Sequence, residues 1–192
     1  TYELDKNIKI FLIIDPFKDT NFKKYSLLDV INYKNKYKLN SKIIVRVNDC
    51  DVTRDVVDIN KSRENEIIKN HEFIDYYIFN SHFIKNYYIE KFKKQNIVLN
   101  NNYKVIVNGC DQNIFKNLNI QKNKHVNIVT HHWSNNINKG YNTYLRLWNW
   151  CKDVRNKHFA FIGKNIPEMF REVPIDGPFH GNKLNQELNK YQ

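Results

Sequence analysis

The sequence predicts an α/β chain with two successive parallel-sheet units, the second incomplete. Three observations predict it. Short apolar, β-branched runs alternate with longer segments of helical periodicity. A polar stretch poor in periodicity, residues 109–125, interrupts that alternation before it restarts. After the restart only two clear strands follow, fewer than a doubly wound domain needs. The predicted organisation is a first domain over 1–108, a connector over 109–125, and the start of a second domain over 126–192.

In chain order, Ile8–Asp15 reads as a strand closed by Asp15-Pro16. Ser26–Tyr37 reads as a helix with Ser26 at its N-cap and Leu27, Leu28, Val30, Ile31 and Tyr33 as its apolar set. Lys42–Asn48 is a second strand, apolar enough for a sheet buried on both faces. Asn60–Asn70 is helical and charged, and its Glu64 and Glu66 read as solvated, as does Glu90 further on. Phe73–Asn80 is a third strand, Ser81 caps a helix running to Lys94, and Lys104–Val107 is a fourth strand. This order implies a mostly parallel sheet with right-handed crossovers. Beyond the connector, Val126–Thr130 and Phe159–Gly163 are strands, Tyr141–Lys152 is a helix, and Gly181–Tyr191 begins another.

Composition narrows the classes. At 192 residues with 41% apolar content, the chain is long and apolar enough to bury a core. Its formal charge of +11, from 31 Lys+Arg against 20 Asp+Glu, favours anionic partners. The lysines are dispersed, however, with Lys23-Lys24 and Lys93-Lys94 the only adjacent pairs, which argues against a nucleic-acid partner. Three cysteines, Cys50, Cys110 and Cys151, share no metal-ligand spacing and predict a reduced compartment. No stretch has the length of a membrane span, and the run ending at Ile14 is too short for a signal peptide, so the expected location is cytoplasmic.

The segment 105–144 carries most of the functional signal. One apolar run closes on Asn108-Gly109, a second closes on His131-His132, and Lys139-Gly140 opens an amphipathic segment. A cation at a helix N-terminus is where an anion can sit. His131 and His132, adjacent on a strand, point to opposite faces and do not suit one metal ion. Arg46 to Asp51 falls at a strand end, where open α/β sheets bind ligands. There Asn48, Asp49 and Asp51 read either as contacts to a ligand hydroxyl or as caps of the following helix. Trp148, Trp150 and the Tyr141, Tyr144, Leu145 stripe read as the core side of a helix.

Four segments in order resemble one enzyme family. Phe73–Ser81 is similar to a strand ending in a serine that opens the next helix. Val105–Phe115 resembles an Asn-Gly-x-Asp-x-x-x-Phe segment closing a first domain. Val126–Gly140 resembles the first strand of a donor domain with its lysine-glycine, and Phe159–Gly163 with Pro174–Leu188 resembles the next strand and loop-helix. Together these resemble the retaining glycosyltransferases with two Rossmann-like domains (GT-B type, the group 1 or family 4 class that contains sucrose synthase and bacterial mannosyltransferases). The similarity runs from about Lys42 onward.

The resemblance implies transfer of a sugar from a nucleotide-sugar to a glycan, protein or lipid acceptor, with retention of configuration. It gives Lys139 the catalytic role of stabilising the leaving diphosphate. Gly140, His132, Ser134, Gly163 and Phe179 become donor-binding candidates, and Asn48, Asp49 and Asp51 acceptor-side ones. No metal or other cofactor is implied. Where the family has an arginine shortly before the lysine, Trp133 or Ser134 falls here, leaving His131 and His132 as alternative donors. A family histidine is replaced at Asn48-Asp49. The family pattern also places a strand before Thr1 and an acidic, glycine-containing segment after Gln192. Two alternatives stand beside this reading: a non-catalytic nucleotide- or glycan-binding remnant of the fold, and a basic nucleic-acid-binding protein.

Overall fold

A computed structural model describes residues 4–18, 24–54, 56–121, 126–155, 157–164 and 166–191. Lys23 of the first lysine pair, and 122–125 at the end of the predicted connector, lie outside the described residues. The chain divides into two compact units, Thr1–Asn108 and Gly109–Gln192.

Unit 1 runs β1 (Ile10–Ile13), α1 (Leu27–Lys36), β2 (Lys42–Val47), α2 (Asp51–Arg54), α3 (Arg63–Lys69), β3 (Tyr76–Phe79), α4 (His82–Lys94) and β4 (Tyr103–Val105). Its sheet is parallel, with order β1-β2-β3-β4. Every step goes the same way across the sheet, so right-handed crossovers place all the helices on one face. The register puts Phe11 beside Ile43, Ile13 beside Val45, and Val47 beside Phe79 on that face. Leu27, Val30 and Ile31 of α1, Ile67 of α3, and Ile84, Tyr88 and Phe92 of α4 share a single core with them.

Among the described residues of unit 1, no helix lies on the opposite face. Ile10, Leu12 and Ile14 are 57%, 56% and 55% exposed, and Ile44 and Arg46 of β2 are half-buried. The expectation of a second strand buried on both faces is therefore corrected. The strand order never reverses, so no crossover returns to the second face and burial alternates along β2.

Local chemistry sets the helix starts. Ser26 Oγ accepts the Asp29 N–H at 3.1 Å while Asp29 Oδ2 accepts the Ser26 N–H at 2.9 Å, a reciprocal cap. Ser81 Oγ accepts the Ile84 N–H at 3.2 Å and opens α4. Leu28, predicted in the apolar set of α1, instead faces solvent.

Unit 2 runs β5 (Val126–His132), α5 (Tyr141–Asp153), β6 (Lys157–Gly163), β7 (Ile175–Asp176) and α6 (Gly181–Leu188). The three strands form a parallel sheet in the order β5-β6-β7. β7 has two residues, too few to show a period in the sequence, and is one strand more than predicted. Tyr141, Cys151, Phe159, Phe161, Phe170 and Val173 form its buried core. Trp150 lies outside that core, exposed, with Lys157 Nζ 3.7 Å from its ring centroid. The described part of the predicted connector follows α6: the Lys116 and Leu118 N–H groups donate to Asn185 Oδ1 at 3.3 Å and Asn189 Oδ1 at 2.9 Å.

Among the described residues no helix is long and apolar enough to cross a membrane. Cys50 and Cys151 are buried free thiols and Cys110 is an exposed one.

Candidate functional site

In unit 2 the carboxyl ends of β5 and β6 gather most of the predicted donor residues. Gly140 has φ +93°, terminates a 3-10 turn over Ile137–Lys139, and is the N-cap of α5. A β-carbon there would meet the Tyr144 ring at 3.2 Å in a backbone conformation that glycine adopts freely. No side chain caps α5, so its first N–H groups stay available. Lys139, exposed, stands immediately before them and has no ion-pair partner among the described residues.

His132, at the end of β5, lies among aromatic rings, with centroids at 4.9 Å (Phe161), 5.0 Å (Tyr141) and 5.7 Å (Tyr144). Both its ring nitrogens are buried without a hydrogen-bond partner. Burial, then the Lys139 charge and then His131, push its pKa below the ordinary 6.5, so the ring is held neutral. Ser134 Oγ accepts the Asn136 N–H at 3.2 Å, and the Ser134 carbonyl accepts the Tyr141 hydroxyl. Gly163 is buried opposite His132 in the register. What approaches it closely is the His132 carbonyl, within 2.0 Å of where a β-carbon would be.

Phe179 is half-buried in the loop before α6, with Lys183 Nζ 5.7 Å from its ring. Beside these, the structure assembles a group that strand-end reasoning did not single out. Trp133 meets His180, the N-cap of α6, at 4.3 Å between centroids, and Lys164 Nζ lies 5.1 Å from the Trp133 ring. Trp133 Nε1 is buried and unpartnered. Lys164 follows the last residue of β6 as Trp133 follows the last residue of β5, and that shared position is the signal that marks them.

In unit 1 the predicted acceptor-side residues separate. Asp51 is committed to structure: its carboxylate accepts the Ser62 hydroxyl and the Arg63 N–H (3.1 Å), and its own N–H donates to Glu64 Oε1 at 2.6 Å. Asp49 pairs with Arg54, and the Asn48 side-chain oxygen accepts from Arg46 Nε at 3.1 Å. Around them stand Arg63, which sequence reasoning passed over, and Arg46, the first residue of the predicted strand-end segment. Arg63 reaches Asp15 through Nε and Nη2, each at 3.0 Å. Arg46 Nη2 donates to Asn108 Oδ1 at 2.6 Å, tying the end of β2 to the segment after β4.

Comparison with protein-family models finds no match to this chain, and comparison with curated protein sequences finds none either. Among the described residues no three His, Cys, Asp or Glu side chains converge as a metal site would require.

Proposed function

We propose that this chain acts as a glycosyltransferase, moving a sugar from a nucleotide-sugar donor to an acceptor with retention of configuration. One observation carries the reading: Lys139 has no ion-pair partner among the described residues and abuts the uncapped N-terminus of α5. An ammonium group and a set of aligned N–H donors at one point attract a diphosphate. They also stabilise the charge that grows on it as the glycosidic bond breaks. Ser134 keeps a hydroxyl hydrogen to donate, because its oxygen already accepts from Asn136.

Trp133 and Phe179 offer aromatic faces near the same strand ends, and Lys164 adds a second cation with no carboxylate partner among the described residues. Gly163 serves first to let β5 and β6 approach, which fixes where His132 stands. Asp49 and Asn48 are the acceptor-side candidates that remain once Asp51 is committed to α3.

The test is turnover of UDP-, GDP- and ADP-sugars by the full chain, followed by NMR at the anomeric proton. Slow donor hydrolysis that releases the retained anomer is expected, and Lys139→Ala should lower its rate by about 10²–10³, as for removal of a transition-state donor. Turnover unchanged in Lys139→Ala would sink the assignment. Nucleotide binding with no turnover of any donor would leave the binding-only reading in its place.

A further inference from the structure

We propose that the helix-free face of the unit 1 sheet is a docking surface for an amphipathic helix of another polypeptide, one with acidic residues along its edges. The surface belongs wholly to unit 1 and needs no transferase activity.

Side chains alternate along a strand, and Phe11, Ile13, Val45, Tyr77 and Phe79 point into the core, so the even-numbered residues of the four strands share the other face. The register sets Leu12, Ile44 and Tyr76 side by side across β1, β2 and β3. Ile10 stands beside Lys42, and Ile78 stands between Arg46 and Lys104. Ile10 and Leu12 are exposed, and Ile44, Tyr76 and Ile78 are half-buried. Every charged residue on this face of β1 to β4 is basic: Lys42, Arg46 and Lys104. Lys42 Nζ meets Asp75 at 2.8 Å, whereas Arg46 is held by neutral acceptors, the side-chain oxygens of Asn48 and Asn108. Among the described residues neither Arg46 nor Lys104 meets a carboxylate.

Parallel sheets occur with both faces covered, and helices are what cover them. The described helices of unit 1 cover one face, and a contiguous apolar row left on the other marks an interaction surface. Its width fits one helix. Four strands about 4.8 Å apart span about 14 Å between the outer two, against about 10–12 Å for a helix with its side chains. Charge decides which helix. Acidic residues flanking an apolar stripe meet Arg46 and Lys104 favourably, whereas a second copy of this chain would set those cations against their own kind. The net charge of +11 also speeds encounter with an acidic segment.

The experiment is fluorescence-anisotropy titration of the full chain with three labelled peptides of about 18 residues, five turns of helix. One carries a leucine stripe with glutamates along both edges. The second carries lysines in place of the glutamates, and the third is the first with its order scrambled. The glutamate-edged peptide should bind, and the other two should bind at least about tenfold more weakly. Leu12→Asp, in the apolar row, should weaken that binding by about tenfold or more, as for loss of an interface anchor. Lys104→Glu, which changes charge alone, should weaken it about threefold and strengthen binding of the lysine-edged peptide. Leu28→Asp, on the exposed side of α1, should change nothing.

No binding of the glutamate-edged peptide, equal binding of the scrambled one, or an affinity unchanged by Leu12→Asp would overturn the proposal. Without peptide binding, self-association in sedimentation that Leu12→Asp abolishes would assign the face to a second copy. Flotation with phosphatidylglycerol vesicles that Leu12→Asp abolishes would assign it to a membrane surface. Either result overturns the helix as occupant. Melting temperatures of the variants separate a lost surface from a lost fold, and Lys104→Glu leaves every apolar side chain of the face in place. Nucleotide binding in unit 2 should survive Leu12→Asp, so this surface and the donor site fail separately.

Discussion

A β-carbon placed on Gly163 would stand 2.0 Å from the carbonyl oxygen of His132, its partner on the neighbouring strand. No rotamer change relieves that contact, because the backbone alone fixes a β-carbon and the oxygen it meets is itself backbone. Gly163→Ala must therefore push β5 from β6, and should destabilise unit 2 by about 3 kcal/mol or more. It should also misplace His132 and with it the strand end that precedes Lys139. Urea unfolding measures the loss, and a change below about 0.5 kcal/mol would show that the strands separate easily.

His132 makes the stability of unit 2 pH-dependent in a definite direction. Burial and the nearby Lys139 hold its folded pKa below the 6.5 of the unfolded chain. Between those two values the unfolded state binds more protons, so stability is fully present above about pH 6.5 and falls as pH drops through the folded pKa. His132→Phe, which retains an aromatic ring among Tyr141, Tyr144 and Phe161, should flatten that slope. Melting temperatures from pH 8 to pH 5 on both proteins check it; equal slopes would remove His132 as the cause.

Tyr77 is fully buried in unit 1, and its hydroxyl has no hydrogen-bond partner. Burial pushes that phenol well above its ordinary pKa of 10. An orphaned buried hydroxyl costs about 1–3 kcal/mol in lost solvation. Tyr77→Phe should accordingly leave stability unchanged or raise it, by a few degrees in melting temperature for a chain of this length. A clear drop would mean the hydroxyl has a partner, such as a buried water.

Glu64 ties three elements together. It is 4% exposed, accepts the Asp51 N–H at 2.6 Å and the Tyr87 hydroxyl at 3.2 Å, and pairs with Lys91 at 3.1 Å. Glu64→Ala removes a buried carboxylate that joins the half-buried Asp51 N–H, the half-buried Tyr87 hydroxyl and Lys91, and should cost about 2–3 kcal/mol. Glu90→Ala, on an exposed position, should stay within about 0.5 kcal/mol. Equal effects of the two substitutions in chemical denaturation would contradict the network.

These two glutamates show where sequence stops being legible. Both sit in charged helical segments, and nothing local separates the one that α2, α3 and α4 enclose from the one facing water. The elements themselves were readable wherever period and cap coincide: Ser26 and Ser81 open α1 and α4 as their spacing predicts. Strand starts were less legible, since Phe73 and Ile74 extend the apolar pattern ahead of β3 while Phe73 belongs to a 3-10 turn. The exposed second face of the unit 1 sheet depends on strand order, which periodicity does not encode. At the sites, Lys139-Gly140 was visible as a cation before a helix. The Arg46–Asn108 bond was not, because 62 residues separate its partners. Trp133 with His180 was hidden for the same reason.

The most direct measurement of the central claim is calorimetric titration of the full chain with UDP, GDP and ADP, on wild type and Lys139→Ala. One nucleoside diphosphate should bind wild type, raising its stability by about 2.7 kcal/mol at a hundred times the dissociation constant. Lys139→Ala should weaken that binding by about tenfold or more. Absence of binding for all three, or equal affinity in the variant, would contradict a donor site at the start of α5.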